Sequence, residues 1–317
     1  PTTTIMATLE PTSPAPTTEP PTPEATSAPV ESPTAGATPI GGGNGEIAYV
    51  SNQSGSPQIW IMNADGSGQR QITNLPDGAC QVNWSPDGAL MAFTSPCRSR
   101  EDKFNGASIF VSKADGSDLR IMDTTPGGDF HPAWSPLGDK IAFTSLRDRL
   151  PHIYVYDLVS QQITALTGPS SFDSAPTWSP DGSQIAFQSN RFGVMQVWVL
   201  DLKSGYVVDY SPIASGDSIM PVWSPSGNFI AYSQGSNIPW GVIKKTGDRF
   251  SQEIRMESIR PMLNMAVSPD GRWLAFNSVQ EGNSDIYLLT PNDGSLTRLT
   301  SNPDFETEPA WRPGISR

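Results

Sequence analysis

The stretch WSPDG at residues 84–88 recurs along the chain with small changes. It returns as WSPLG at Trp134, WSPDG at Trp178, WSPSG at Trp223 and VSPDG at Val267. Proline fixes φ and glycine readily adopts positive φ, so each copy predicts a tight turn between two strands. A catalytic motif is normally present once per active site, and five copies therefore indicate a structural repeat.

The spacing of this repeat predicts the fold. Consecutive positions of the Trp column are separated by 50, 44, 45, 44 and 44 residues, and the column ends at Trp311. An Ala lies eight residues after each of the first five positions and is followed by an aromatic residue. A further apolar strand comes next in each unit, and a segment such as QQITALT follows it. Each unit therefore contains four short strands, and repeats of this length with four strands are typical of propeller blades.

The two ends of the repeat are complementary. The first strand pattern, IAY at Ile47–Tyr49, has no WSPDG before it, and Trp311 has no IAF after it. A C-terminal innermost strand that pairs with the N-terminal strands would complete one blade and close the ring. The sequence thus predicts an all-β, six-bladed β-propeller over residues 46–317.

Residues 1–45 differ from the rest in composition. The first 40 contain ten Pro, eleven Thr, four Glu and no Lys or Arg, which predicts a disordered, extended Pro/Thr-rich linker. Thr beside Pro is typical of O-glycosylated stalks, and a plain linker without sugar is the alternative. No apolar stretch is long enough to span a membrane, so we expect tethering by an anchor upstream of this sequence.

The repeats resemble those of the TolB-like six-bladed propellers, which are relatives of the WD-repeat family. The resemblance rests on Pro-x-Trp-Ser-Pro-Asp-Gly, Ile-Ala-Phe, Ile-Tyr-Val and Leu-Thr, and it spans residues 46–313. It implies an extracytoplasmic setting and protein–protein contact, with the stalk in place of the family's N-terminal partner-binding domain. The fifth unit departs most, because GVIKKTGDRFSQEIRMESIR lacks the Leu-Thr ending.

Charge and cysteine content narrow the setting further. The net charge of −12 and the lack of a basic stripe argue against a nucleic-acid partner. The only cysteines, Cys80 and Cys97, flank one repeat at similar heights on its predicted hairpin. Either a disulfide or two buried thiols would fit, and a disulfide would indicate an oxidising compartment.

The loops that lead into the innermost strands carry the candidate binding residues. In a propeller these loops surround one mouth of the central channel, so their carboxylates would attract a Lys- or Arg-bearing segment or a divalent cation. The alternative is that the acids cap turns and face water, and that the histidine is structural. The predicted channel-mouth residues are Asp129, His131, Asp173, Asp217, Asp304, Glu306 and Glu308.

Trp240 stands outside the aromatic columns of the repeat, close to a loop at the same mouth. An aromatic residue in that position is a candidate contact for a sugar or a peptide. Filling a local gap in the irregular fifth blade is the alternative.

Two functions fit the sequence. The favoured one is a non-enzymatic binding module on a bacterial cell surface, the ectodomain of a lipoprotein or receptor, that recognises a protein or glycan partner. A Ser-based nucleophile is not predicted, because only two histidines exist and no G-x-S-x-G elbow is present. The alternative is a carbohydrate-active or peptidase-associated enzyme fragment that uses channel carboxylates. No cofactor or structural metal site is predicted.

Overall fold

The computed structural model confirms the predicted all-β propeller with six four-stranded antiparallel sheets. Their innermost strands contact one another in sequence, and the last contacts the first, so the six blades form a closed ring. The predicted linker lies almost wholly outside the described residues. These are residues 42, 44–97, 104, 106–122, 128–168, 170–211, 216–237, 239–247, 253–257, 259–291 and 293–314.

The blades are numbered from the N-terminus, with strands given from the channel outward. Blade 1 contains β24 (Glu306–Trp311), β1 (Glu46–Ser51), β2 (Gln58–Asn63) and β3 (Arg70–Gln71). Blade 2 contains β4 (Cys80–Trp84), β5 (Leu90–Ser95), β6 (Ser108–Lys113) and β7 (Arg120–Ile121). Blade 3 contains β8 (Asp129–Trp134), β9 (Lys140–Asp148), β10 (Leu150–Asp157) and β11 (Ile163–Ala165).

The remaining three blades follow the same plan. Blade 4 contains β12 (Asp173–Trp178), β13 (Gln184–Ser189), β14 (Gln196–Asp201) and β15 (Val207–Asp209). Blade 5 contains β16 (Ser218–Trp223), β17 (Phe229–Gln234), β18 (Trp240–Lys245) and β19 (Glu253–Met256). Blade 6 contains β20 (Leu263–Val267), β21 (Leu274–Ser278), β22 (Asp285–Leu289) and β23 (Leu296–Arg298).

The ring closes as the two chain ends predicted. Strand β24 pairs antiparallel with β1, and Trp311 lies opposite Ile47. The outer strand of blade 5 also forms despite its missing Leu-Thr ending, with Met256 opposite Gly241. The Met256 methyl group packs against Gly241 because this residue has no side chain; an added Cβ would lie 2.6 Å from that methyl.

The core lies between the blades rather than inside each sheet. The Trp of the repeat reaches the preceding blade: Trp84 Nε1 donates to Ala310 O (3.2 Å), and Trp178 Nε1 donates to Ala133 O (3.0 Å). The Trp column therefore joins adjacent blades by packing, and at Trp84 and Trp178 also by satisfying the indole N–H. The aromatic residues of the second strands are fully buried; they are Tyr49, Phe93, Phe143, Phe187, Tyr232 and Phe276.

The SPDG phrase forms the turn predicted for it. Ser85 Oγ donates to Asp87 Oδ1 (2.5 Å), and Ala89 N donates to the same oxygen (3.0 Å). Gly88 has φ of 66°, and a Cβ there would lie 2.4 Å from the Pro313 carbonyl oxygen. The turn thus packs directly against the segment that follows the closing strand.

The strand directions define two faces of the ring. The turn face carries the hairpin turns that follow the innermost strands, such as residues 85–89. The loop face is the opposite edge, where the innermost strands begin and the connections from second to third strands lie. Within the described residues there is no helix with the length and apolar character needed to span a bilayer.

Cys80 and Cys97 form a disulfide bond, which is one of the two states that the sequence left open. Cys80 begins β4, and Cys97 follows β5, so the bond joins the innermost and second strands of blade 2 at the loop face. Cys97 N also donates to Asp77 O (2.8 Å). The covalent link therefore fixes one edge of the channel mouth.

Candidate functional site

Each innermost strand has a bulge at the third position before its Trp or Val. Its pairing with the second strand shifts register there, and the bulged residue has φ between 47° and 57°. Non-glycine residues adopt this left-handed conformation rarely, and only where the surrounding structure enforces it. The six residues, here called the channel ring, are Glu308, Gln81, His131, Ala175, Met220 and Asn264 in order of blades.

Hydrogen bonds between neighbouring blades hold these bulges. Gln81 N donates to Glu308 Oε2 (2.5 Å), and His131 N donates to Gln81 Oε1 (2.9 Å). Met220 N donates to Gln188 Oε1 (2.9 Å). A backbone donor freed from the strand ladder at the bulge is thereby satisfied by a side chain of the preceding blade.

The channel ring lines a cavity of about 330 Å³. That volume is at the lower end of the range for small-ligand pockets. The ring is chemically uneven, because polar and apolar residues occupy separate arcs. The polar arc is Asn264, Glu308, Gln81 and His131, and the apolar arc is Ala175 and Met220.

Glu308 is the carboxylate that the structure places inside the channel. Burial raises its pKa to about 7, although the hydrogen bond from Gln81 N opposes that shift. A carboxyl group with such a pKa exchanges its proton near neutral pH and responds to any charge brought beside it.

His131 lies two blades away, in a mostly aromatic setting. Its ring is 5.0 Å from the Phe130 ring, which stacks at 4.4 Å on Phe104. Burial lowers the pKa of His131 to about 4, so the imidazole is neutral at pH 7. Its Nδ1 atom is buried without a hydrogen-bond partner among the described residues.

Asp129 and Asp173 are buried at the loop face, where each is paired with an arginine. Arg147 Nη2 lies 3.4 Å from both oxygens of Asp129, and Arg191 Nη2 lies 3.3 and 3.4 Å from those of Asp173. Arg191 also lies 4.6 Å above the Trp198 ring. The arginines offset the two negative charges, so these acids do not join Glu308 in one free cluster.

The other predicted acids serve local structure. Glu306 is fully buried and accepts from Ser51 Oγ (3.0 Å); burial, followed by the charges of Asp285 and Asp304, raises its pKa to about 7. Asp217 Oδ1 accepts from Met195 N (3.1 Å), which joins the loops of two neighbouring blades.

Asp304 and Trp240 complete the predicted set. Asp304 contributes its backbone oxygen to Asn283 Nδ2 (2.7 Å). Trp240 is partly buried at the edge of the blade 5 core, 4.8 Å from the Arg260 guanidinium and against Gly235.

A metal centre has no ligand set in the part of the chain that the structure describes. No three His, Cys, Asp or Glu side chains gather there in an arrangement that could hold an ion.

Sequence reasoning found two members of the channel ring and missed four, which are Gln81, Ala175, Met220 and Asn264. The sequence does contain a signal for them. The position three before the Trp column differs in all six blades, while the next position is Pro in four of them. The residue types alone do not identify this position as part of a site, because only a backbone bulge makes it face the channel.

Fold and site together define a six-bladed β-propeller with an uneven set of side chains in its channel. The family model of the TolB beta propeller domain matches residues 101–261, about half of the chain. The chain therefore belongs to the TolB β-propeller family.

Individual relatives are similar over smaller parts or at low identity. A protein described as a TolB homolog in Chlorobium chlorochromatii is 43% identical over 49 residues, which is 16% of this chain and only 11% of that relative. The structure of TolB from Acinetobacter baumannii has a TM-score of 0.72 at 22% identity, covering 85% of this chain and 67% of that one. Oligogalacturonate lyase from Vibrio parahaemolyticus has a TM-score of 0.54 at 11% identity, covering 82% and 75%. The two solved structures share the fold.

Proposed function

We propose that this protein is an extracytoplasmic, non-enzymatic recognition module that binds a protein or glycan partner in its central channel, around the channel ring. The observation that carries the proposal is the contrast between repetition and variation. Six equivalent positions hold six different residues, although the turn, the Trp column and the buried aromatic column repeat around them. A purely structural position would be served by the same residue in every blade, whereas recognition of an asymmetric ligand needs an asymmetric set.

Two further observations support the extracytoplasmic part. The Cys80–Cys97 disulfide is typical of oxidising compartments. Membership of the TolB family agrees with that setting and with a protein partner. The Pro/Thr-rich linker, glycosylated or plain, would then hold the ring away from an anchor such as a membrane, and the whole chain would act as a tethered ectodomain.

The enzyme alternative depends on channel carboxylates. Glu308 has a pKa suited to proton transfer near pH 7. Among the residues that line the cavity, however, Glu308 is the single carboxylate, and His131 is the other titratable side chain. Glycoside hydrolysis generally uses two carboxylates on opposite sides of the bond. A binding role therefore accounts better for this set of residues.

The proposal is tested by presenting the full chain to arrays of peptides and glycans, followed by affinity measurements on the ligands found. A ring variant, Met220→Ala, is compared with Leu137→Ala, which truncates a side chain that is 72% exposed on the turn face. We expect at least tenfold weaker binding for the ring variant and no change for Leu137→Ala. Equal losses in both variants, or no ligand in either array, would overturn the proposal.

A further inference from the structure

The polar arc of the channel ring combines one carboxylate with further hydrogen-bonding groups. Glu308 uses Oε2 to accept from Gln81 N, which leaves Oε1 for a ligand. Asn264 donates through Nδ2 to Asn277 Oδ1 (3.0 Å), and this bond leaves its carbonyl oxygen for a ligand. His131 is neutral at pH 7 because burial lowers its pKa to about 4, so it brings no positive charge to this arc.

The fourth polar residue, Gln81, has its amide oxygen bonded to the protein. Gln81 Oε1 already accepts from Thr94 Oγ1 (2.8 Å) and from His131 N (2.9 Å). These bonds fix the amide in place and direct its oxygen to the protein. Gln81 is therefore the spacer that positions its two neighbours in the ring.

The apolar arc faces this set across the cavity. Ala175 and Met220 occupy consecutive blades and present only methyl and thioether groups. Met is flexible and polarisable, and it packs well against an aliphatic chain of variable shape. A ligand that fits both arcs is rich in N–H donors at one end and aliphatic along its stem.

We propose that the channel ring binds a primary ammonium group on an aliphatic stem, as in a lysine side chain of a partner protein, with the ammonium beside Glu308 and the stem against Met220. The inference rests on the proposed function and names the group that the partner inserts. A primary ammonium carries three donors and no acceptor, and its charge is complementary to the Glu308 carboxylate, with the Asn264 carbonyl oxygen as a second acceptor. A carboxylate or phosphate ligand would instead meet Glu308 with like charge.

The test uses the full chain with n-pentylamine as the cationic probe, and with 1-pentanol and pentanoate as neutral and anionic probes of the same length. Binding is followed by NMR titration. We expect the dissociation constant for pentylamine to be at least tenfold below those for the other two probes. Pentanoate binding as tightly as pentylamine would overturn the assignment of charge.

Two variants locate the site. Glu308→Gln keeps the shape and an acceptor for Gln81 N but removes the charge, so pentylamine should bind at least tenfold more weakly while 1-pentanol is unchanged. Glu281→Gln removes an exposed carboxylate at the loop face outside the cavity, and pentylamine binding should stay as in the original protein. Unchanged pentylamine binding in Glu308→Gln would overturn the inference.

The pH dependence provides an independent readout. Pentylamine binding should strengthen from pH 6 to pH 8, because Glu308 loses its proton in that range while His131, the other titratable residue lining the cavity, is neutral throughout it. A flat profile would contradict a role for Glu308.

The outcomes also separate this inference from the proposed function. A macromolecular ligand that depends on Met220 but not on Glu308 would leave the recognition module intact and overturn the ammonium site. Pentylamine binding that depends on Glu308, with no peptide or glycan bound, would support the site and overturn the module.

Discussion

Arg312 Nη1 lies 2.5 Å from Glu46 Oε2, although 266 positions separate these residues in the chain. The same guanidinium donates through Nε to Gly88 O (2.8 Å) and lies 5.1 Å from the centre of the Trp84 ring. One side chain after the last strand therefore contacts both the first strand and the turn of the next blade. Burial alone would raise the pKa of Glu46, but hydrogen bonds from Arg70 and Arg312 hold it below its usual range.

This contact predicts a role for Arg312 in ring closure. Arg312→Ala should lower the free energy of unfolding by about 1–3 kcal/mol, because it leaves Gly88 O without this donor and Glu46 with one partner fewer. Arg272→Ala is the matched control, since Arg272 is exposed next to the equivalent turn of blade 6. Thermal unfolding measures both, and an equal effect in the two variants would contradict the closing role.

Removing the disulfide should destabilise blade 2. The bond joins residues 17 positions apart, and closing a loop of that size stabilises the folded state by about 2–4 kcal/mol. A double substitution, Cys80→Ser with Cys97→Ser, should lower the melting temperature, and a reductant should do the same to the original protein. If the reductant also lowers the melting temperature of the double variant, the effect has another origin.

Asp173→Asn should destabilise the protein through Arg191. Asp173 is fully buried and accepts from Ser171 Oγ (2.9 Å) as well as from Arg191. Loss of its charge should reduce the free energy of unfolding by about 1–3 kcal/mol, measured by denaturant titration. Asp118→Asn breaks an exposed pair with Arg120 and should change it by less than about 1 kcal/mol.

The expected loss of stability in Asp173→Asn limits which variants can be used in a binding measurement at the loop face. A binding test that substitutes all the loop-face acids together would mix loss of folding with loss of binding. Met220→Ala avoids this difficulty, because the Met220 side chain lines the cavity and other side chains hold the bulges of the ring.

Stability should fall as pH rises through 7. Burial raises the folded-state pKa of both Glu306 and Glu308 from 4.5 to about 7, so the folded state holds more protons than the unfolded state between those values, and stability is lost as pH increases. His131 has the opposite effect, because its pKa is lowered from 6.5 to about 4 and it stabilises the folded state as pH rises between them.

The two effects separate as pH rises above 6.5, because His131 is then neutral in the folded state and loses its remaining charge in the unfolded state. Melting temperatures measured from pH 6.5 to 8 should therefore decrease, and Glu306→Gln should make the decrease smaller. An unchanged slope in that variant would show that Glu306 does not titrate in this range.

The fold could be read from the sequence because turn, Trp and buried aromatic positions repeat with a nearly constant period. Even the closure was visible, since the unpaired ends at Ile47 and Trp311 complement each other. The outer strand of blade 5 was harder to predict, because its pairing depends on the fit of Met256 over Gly241.

The site was less accessible from the sequence, for a physical reason. Counting carboxylates finds Asp129 and Asp173 but not the arginines that come 18 positions later in the chain and pair with them. Nor can residue types show that a positive φ at Met220 and at Asn264 turns these side chains toward the channel. Backbone conformation, rather than residue type, selects which side chains meet there.

The bulges have a consequence for how such a protein can diverge or be redesigned. Because the backbone sets the direction of each ring position and the neighbouring blade supplies the hydrogen bond, a side chain as small as that of Ala175 and one as long as that of Gln81 occupy equivalent places. A position whose side chain holds no neighbouring bulge, such as Ala175 or Met220, can thus be exchanged without rebuilding the ring, whereas changes at Glu308 and Gln81 also affect the next blade. Ligand preference can therefore diverge most easily on the apolar side of the channel, while the polar side changes only as a coupled set.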